Sequence, residues 1–325
     1  MQRTKTLALV LALIFLGSMA CGPKEKAAAG SAKPDDVLNY LPVDAQGVIF
    51  IDVHRAMATA VADQLIQEDE SYAKYQEFVK KSGIDPKQDI YYVAVGILSG
   101  TLGGKEEGAA VVNLKYDKEK ILTLIQEEGG KEAVTEDYNG ITLYSMPDED
   151  EGAFAFLDAS NAVVGNAQSV KACVDVMQGR KDNVFKNQAL ADVLGRTEKD
   201  TLFWGAILIP QKDVAQATEG NPQLKPLQSM KALILNFDHK NAMVSARIKA
   251  ESDNAESNQQ ISEMLTGFKA MGAMMIPEDK PELGDLLDSI AVSHAADHVM
   301  IEASIPDDLI QKLKSALPTQ KEEEK

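Results

Sequence analysis

Residues 90–98 read IYYVAVGIL and residues 109–115 read AAVVNLK, with SGTLGGKEEG at 99–108 between them. Two apolar runs of strand length joined by a glycine-rich stretch predict an antiparallel hairpin. Both runs are apolar at nearly every position, which predicts a sheet covered on both faces. Upstream, GVIFIDV at 47–53 predicts another buried strand, and residues 55–81 predict one or two helices. Downstream, DKEKILTLIQ at 117–126 carries an aspartate N-cap and apolar residues at helical spacing. A second hairpin follows at 141–146 and 153–157 around an acidic turn, then a short strand at 162–165 and a helix at 168–178.

The rest of the chain follows a similar order. TLFWGAILI at 201–209 predicts a strand, followed by a mostly polar, partly helical stretch. A hairpin at 233–238 and 242–250 turns at 239–241, and a long helix at 254–275 and a short one at 281–289 come next. A hairpin at 290–293 and 299–305 precedes a closing helix at 307–317. Each half reads strand, helix, hairpin, helix, hairpin, helix. The expectation is an α+β fold with antiparallel sheets from β-hairpins alternating with helices, in two similar halves. The internal duplication rests on element order, not on residue identity. The expected halves are residues 37–196 and 197–318, with a solvated tail at 319–325.

The N-terminus carries an address. Arg3 and Lys5 precede the uncharged apolar run TLALVLALIFL, and Gly17, Ser18, Met19 and Ala20 lead into Cys21. The run is too short to span a bilayer, which takes about 20 residues, so residues 1–20 are expected to be a removable signal peptide. Ser18-Met19-Ala20 also suits ordinary cleavage at the same bond. The stretch resembles a bacterial lipobox, with Ser18 where leucine is usual, and this resemblance implies an acyl group on Cys21. Residues 23–36 (PKEKAAAGSAKPDD) lack the apolar content to fold, so residues 21–36 are expected to form a flexible tether. The chain is therefore expected in a bacterial cell envelope, held to a membrane through the acyl anchor. Gly22 after the cysteine resembles sorting signals that direct lipoproteins to the outer membrane.

The chain carries 50 acidic and 33 basic residues, a net charge of −17. Loss of residues 1–20 takes Arg3 and Lys5 and no acid, leaving −19. Such a surface repels phosphate backbones and gives no polybasic grip on anionic lipid, so nucleic acid is excluded as a partner. With Cys21 acylated, Cys173 has no partner and reads as a small buried apolar residue of a helix.

Leu41-Pro42-Val43-Asp44-Ala45 leads the strand at 47–53, Asp137-Tyr138-Asn139-Gly140 precedes a strand, and Phe156-Leu157-Asp158 precedes Val163-Val164-Gly165-Asn166. In these elements, spread over residues 38–310, the chain resembles a loose group of uncharacterised exported bacterial lipoproteins that open with an LP-x-D element. The resemblance implies a shared fold and an envelope location, and brings no activity and no functional residues.

Motifs with chemical appeal have plainer readings. Ser71-x-x-Lys74, Lys81-Ser82-Gly83 and Ser252-Asp253-Asn254 supply the pieces of a penicillin-recognising serine enzyme in the wrong order, and the last reads as a helix cap. His294 and His298 flank a turn with Asp297, and Asp52 and His54 read as a hydrogen-bonded pair at a strand end; neither matches a metal motif. Gly100, Gly103, Gly104 and Lys105 lack the first glycine and final hydroxyl of a phosphate loop. The acids at 148–151 lack calcium-loop spacing. No catalytic residue, metal ligand or cofactor is expected. Met264, Phe268, Met271 and Met275, with Leu265 and Met274, recur at helical spacing and read either as core or as an adaptable apolar binding groove. The expected function is a non-catalytic module binding an envelope protein or an apolar ligand. The alternatives are a carboxylate-dependent hydrolase of envelope polymers and a purely structural surface protein.

Overall fold

A computed structural model describes residues 33–66, 69–99, 107–128, 134–145 and 152–316. Cys21 and the expected signal, the loop at 100–106, the acidic run at 148–151 and the expected tail lie outside the described residues. The chain divides into two compact units between Asp192 and Val193. The class is α+β, and among the described residues the strand pairings within each unit are antiparallel.

The first unit opens with α1 (Pro34–Leu38), whose Val37 and Leu38 are buried. Residues 34–36, assigned by composition to the tether, are its first turn. Proline and aspartate are poor core residues but suited to a helix N-terminus, which is why composition concealed it. β1 (Gly47–Asp52) follows. The Asp52 carboxylate accepts from Arg55 N at 3.0 Å and caps α2 (Val53–Met57). The expected Asp52–His54 pair is therefore not what the strand end holds: His54 Nδ1 donates to the Lys87 carbonyl at 3.0 Å. α3 (Ala60–Ile66), α4 (Asp69–Ser82) and α5 (Pro86–Asp89) lead to the hairpin of β2 (Ile90–Ser99) and β3 (Glu107–Leu114). Then come α6 (Lys118–Glu128), β4 (Val134–Tyr138), β5 (Ile141–Ser145), β6 (Gly152–Phe156), β7 (Asn161–Asn166) and α7 (Ala167–Met177). α8 (Gln188–Arg196) spans the division.

The first sheet runs β1-β2-β3-β7-β6-β5-β4. One face packs Ile90 and Leu114 against Phe78, Ile84 and Tyr116. On the other, α7 lies against β3, β6 and β7, bringing Val170, Cys173 and Val174 into the core. β3 and β7 come close together at Gly165. A Cβ on Gly165 would sit 2.3 Å from the Gly108 carbonyl oxygen, so only glycine fits. Cys173 is fully enclosed, and burial pushes its thiol up to about 12. Tyr40 donates to Asp158 Oδ2 at 2.5 Å, while Ser160 N and Asn161 N each donate to Asp158 Oδ1 at 2.8 Å. This network fastens the residues after α1 to the β6–β7 turn.

The second unit contains β8 (Phe203–Leu208), α9 (Gln211–Ala217), a 3-10 segment (Pro222–Ser229), β9 (Met230–Lys240) and β10 (Met243–Ser252). α10 (Ala255–Met274), α11 (Pro281–Asp288), β11 (Ile290–His294), β12 (His298–Pro306) and α12 (Asp307–Ala316) complete it. Its strands run β8-β9-β10-β12-β11. The first five strands of the first sheet, β1-β2-β3-β7-β6, follow the same rule, with β5 and β4 added outside β6. The two halves thus share a topology, differing by one hairpin. Ala250, Val299 and Ile261 form the centre of the second core, with Leu227, Met230, Leu233 and Leu265 around them. By strand alternation Phe237 and Ile248 lie on the same sheet face as Leu233 and Ala250, yet both are exposed.

Candidate functional site

The long helix α10 is the element from which the candidate site is built. Its start is fixed by Asn254, whose side chain accepts from Ser257 N at 3.0 Å. Ser252 Oγ accepts from Asn254 N at 3.1 Å, and Asp253 pairs with Lys231. The Ser252-Asp253-Asn254 triplet is accordingly a cap, as expected. Asn258, fully buried, donates to the carbonyls of Ala295 and Ala296 at 3.1 and 3.2 Å and ties the first turn of α10 to the β11–β12 turn. Further along, Lys269 Nζ donates to the Ile290 carbonyl at 2.6 Å. Ile261 and Leu265 face the sheet.

A different side of α10 faces the 3-10 segment across an open cleft of about 730 Å³. Ser257, Gln260, Met264 and Phe268 form one wall, at spacings of three and four residues. The other wall is the run from Asn221 to Pro226, which contributes Pro222, Leu224 and Pro226 as apolar contacts and Lys225 as a cation. Asn221 starts this segment by accepting from Gln223 N at 3.2 Å. Among the described residues no aspartate or glutamate lines the cleft. A smaller recess of about 490 Å³ lies across the same segment, next to α9, and carries Glu219 together with the polar side chains of Gln216, Thr218 and Gln228.

Of the four residues singled out from sequence, Met264 and Phe268 line the cleft. Met271 and Met275 continue the same helical stripe beyond it, three and seven residues after Phe268. Phe268 is 54% exposed, Met271 57%, Met274 87% and Met275 81%, so this end of the helix is not core. The second wall was not anticipated. Its signal was the pair of prolines four residues apart, which halt a regular helix and leave a rigid turn. Polar composition masked the two apolar contacts nearest to Lys225.

Elsewhere, the tempting chemistry resolves into structure. Ser82 Oγ is buried and donates to the Phe78 carbonyl at 2.8 Å, and Gly83 terminates α4 with φ +69°. His298 Nδ1 lies 2.7 Å from Asp297 Oδ1, its sequence neighbour, and His294 sits across from Val299. Among the described residues no group of three or more His, Cys, Asp or Glu side chains is placed to hold a metal ion. Burial works against the charge on Asp158, but the Tyr40 hydroxyl and the donors of Ser160 and Asn161 outweigh it and hold the carboxyl below its ordinary value. Arg196 first, and Lys249 beside it, hold Glu251 low against its partial burial.

No family model matches the chain. A curated relative, the uncharacterized protein MJ0635 of Methanocaldococcus jannaschii, is 20% identical over 273 residues, covering 82% of this chain and 85% of that protein. Among solved structures, crystal form III of TP0453 is similar at a TM-score of 0.49 and 12% identity, covering 88% of this chain and 99% of that one. Crystal form I of TP0453 is similar at a TM-score of 0.44 and 12% identity, covering 89% and 99%.

Proposed function

We propose that this chain is a non-catalytic lipoprotein of a bacterial cell envelope whose second unit takes an apolar ligand into the cleft beside α10. The observation that carries the reading is a helical stripe in which half-buried Met264 and exposed Phe268 line a concave surface and Met271 and Met275 continue it, both largely open to water. Contiguous apolar exposure of this kind marks binding surfaces in soluble proteins. Flexible, polarisable methionine adapts to apolar ligands of varied shape. The volume of about 730 Å³ falls in the range that small-molecule sites occupy. In this reading residues 1–20 are removed, Cys21 carries the acyl group, and the stretch that ends at α1 lets the folded units stand off the membrane.

A second reading, a protein partner instead of a small ligand, draws on Met274 and Met275, the most exposed residues of the helix end, which do not line the cleft. The hydrolase reading draws less support. Among the described residues the shifted carboxyls Glu77, Asp158, Glu251, Asp253 and Asp297 are all held low, whereas a glycosidase acid must be raised.

Native mass spectrometry of the full chain, expressed in a bacterium and extracted gently from its membranes, tests the proposal. The expected spectrum shows a polypeptide beginning at an acylated Cys21, with a small-molecule adduct that disappears in Phe268→Glu. An unacylated product removes the anchor from the proposal. A spectrum without adduct, identical in Phe268→Glu, removes the constitutive ligand.

A further inference from the structure

We infer that the cleft beside α10 selects a long-chain carboxylate, with its head at Lys225 and its chain along Met264 and Phe268. The inference rests on the apolar-ligand reading above and adds the chemistry of the head group. It starts from charge. The chain carries 17 more negative than positive charges, yet among the described residues no acid lines this cleft and one lysine does. Lys225 also reaches the smaller recess across the 3-10 segment, which carries the acid Glu219, so the lack of acids is particular to the α10 side of this lysine. Among the described residues Lys225 has no ion-pair or hydrogen-bond partner in the structure, and its ammonium is available to an anion. One point charge matches a monoanionic carboxylate better than a doubly charged phosphate monoester.

Polarity along the helix sets the direction. Ser257 and Gln260 stand at the N-terminal end of the wall, and Met264 and Phe268 follow toward the C-terminus. Met271 and Met275 extend the apolar stripe past the cleft. From Gln260 to Met275 a helix rises about 22 Å, the length of an extended long alkyl chain. An uncharged alkane or sterol would make no use of Lys225, and a compact polar anion would leave Met264 and Phe268 in water. An amphiphile with one negative end and one apolar tail uses both the lysine and the apolar stripe.

The test is isothermal titration of the full chain carrying Cys21→Ser, which removes the acyl acceptor, with tetradecanoate and with tetradecan-1-ol as probes. Tetradecanoate is expected to bind one to one and more tightly than the alcohol. Lys225→Glu should weaken tetradecanoate by about tenfold, Lys225→Gln by less, and Lys225→Arg should preserve it. None of the three should alter alcohol binding or the Trp204 fluorescence spectrum, since Lys225 is exposed. Equal affinity for acid and alcohol, both indifferent to Lys225, would overturn the head-group assignment and leave the apolar cleft standing. No binding of either probe, or binding untouched by Phe268→Glu, would overturn both.

Discussion

The two units follow one strand order and finish it differently. In the first, both faces of the sheet's centre are closed: Phe78 and Tyr116 seal one side, and α7 seals the other around Cys173. In the second, the equivalent sheet has a closed centre at Ala250, Val299 and Ile261, while Phe237, Ile248 and the end of α10 stay open to water. The topology alone does not decide how much apolar surface a unit buries; the helices laid across it do. What the second unit leaves uncovered is where a ligand has something to gain.

The largest test of this contrast compares two phenylalanines. Phe50 is buried in the first unit, so Phe50→Ala should cost about 3–5 kcal/mol in urea denaturation followed by circular dichroism. A loss below about 1 kcal/mol would mean that the first unit is not the tightly packed one. Next in size is Asp158→Ala, which removes the acceptor for Tyr40, Ser160 and Asn161. Solvent reaches this carboxylate, so the cost should be about 1–2 kcal/mol. Because its folded pKa is depressed, its stabilisation is present above the unfolded value of about 3.9 and is lost as pH falls below it. Acid titration of the wild type should show that loss, and Asp158→Asn should flatten it. If the two curves superimpose, the network does not fasten α1 to the sheet.

Two tight turns sharpen the comparison on a smaller scale. The β4–β5 turn places Asn139 and Gly140 at φ +58° and +82°, the Asn-Gly pair such a hairpin prefers. The β9–β10 turn places Asn241 and Ala242 at +56° and +55°, and alanine resists that region. Ala242→Gly should therefore stabilise the second unit by about 1 kcal/mol, and Gly140→Ala should destabilise the first by a similar amount. Trp204, the sole tryptophan and fully buried, reports the former by fluorescence. The smallest expected effect is Phe268→Ala, within about 0.5 kcal/mol of wild type. A cost near that of Phe50→Ala would show that this face is core after all.

Much of the fold was legible because strands and helices here announce themselves by period. Residues 90–98 and 109–115 became β2 and β3 within two residues at each end, and the helix expected at 254–275 is α10. β4 was not legible: VTEDY is acidic, mostly exposed and an edge strand, so no apolar alternation marks it. α8, QALADVLGR, has helical spacing but lies at the join between the two halves, outside their repeated order of elements. For the candidate site, Met264 and Phe268 were visible as a stripe, but helical spacing cannot distinguish a buried face from an open one. That distinction depends on what packs opposite, and the opposite wall is a proline-bearing segment whose neighbours in sequence say nothing about α10.

That segment has a consequence for discrimination among ligands. Pro222 and Pro226 fix two backbone angles in the 3-10 wall, so this side of the cleft loses little conformational entropy when it is filled. The methionines of α10 retain three rotatable bonds each and reshape at small energetic cost. One wall is a template and the other a cushion. Such a pairing should hold a head group in one place while tolerating tails of different length and branching, giving strict recognition at one end of the ligand and permissive recognition at the other.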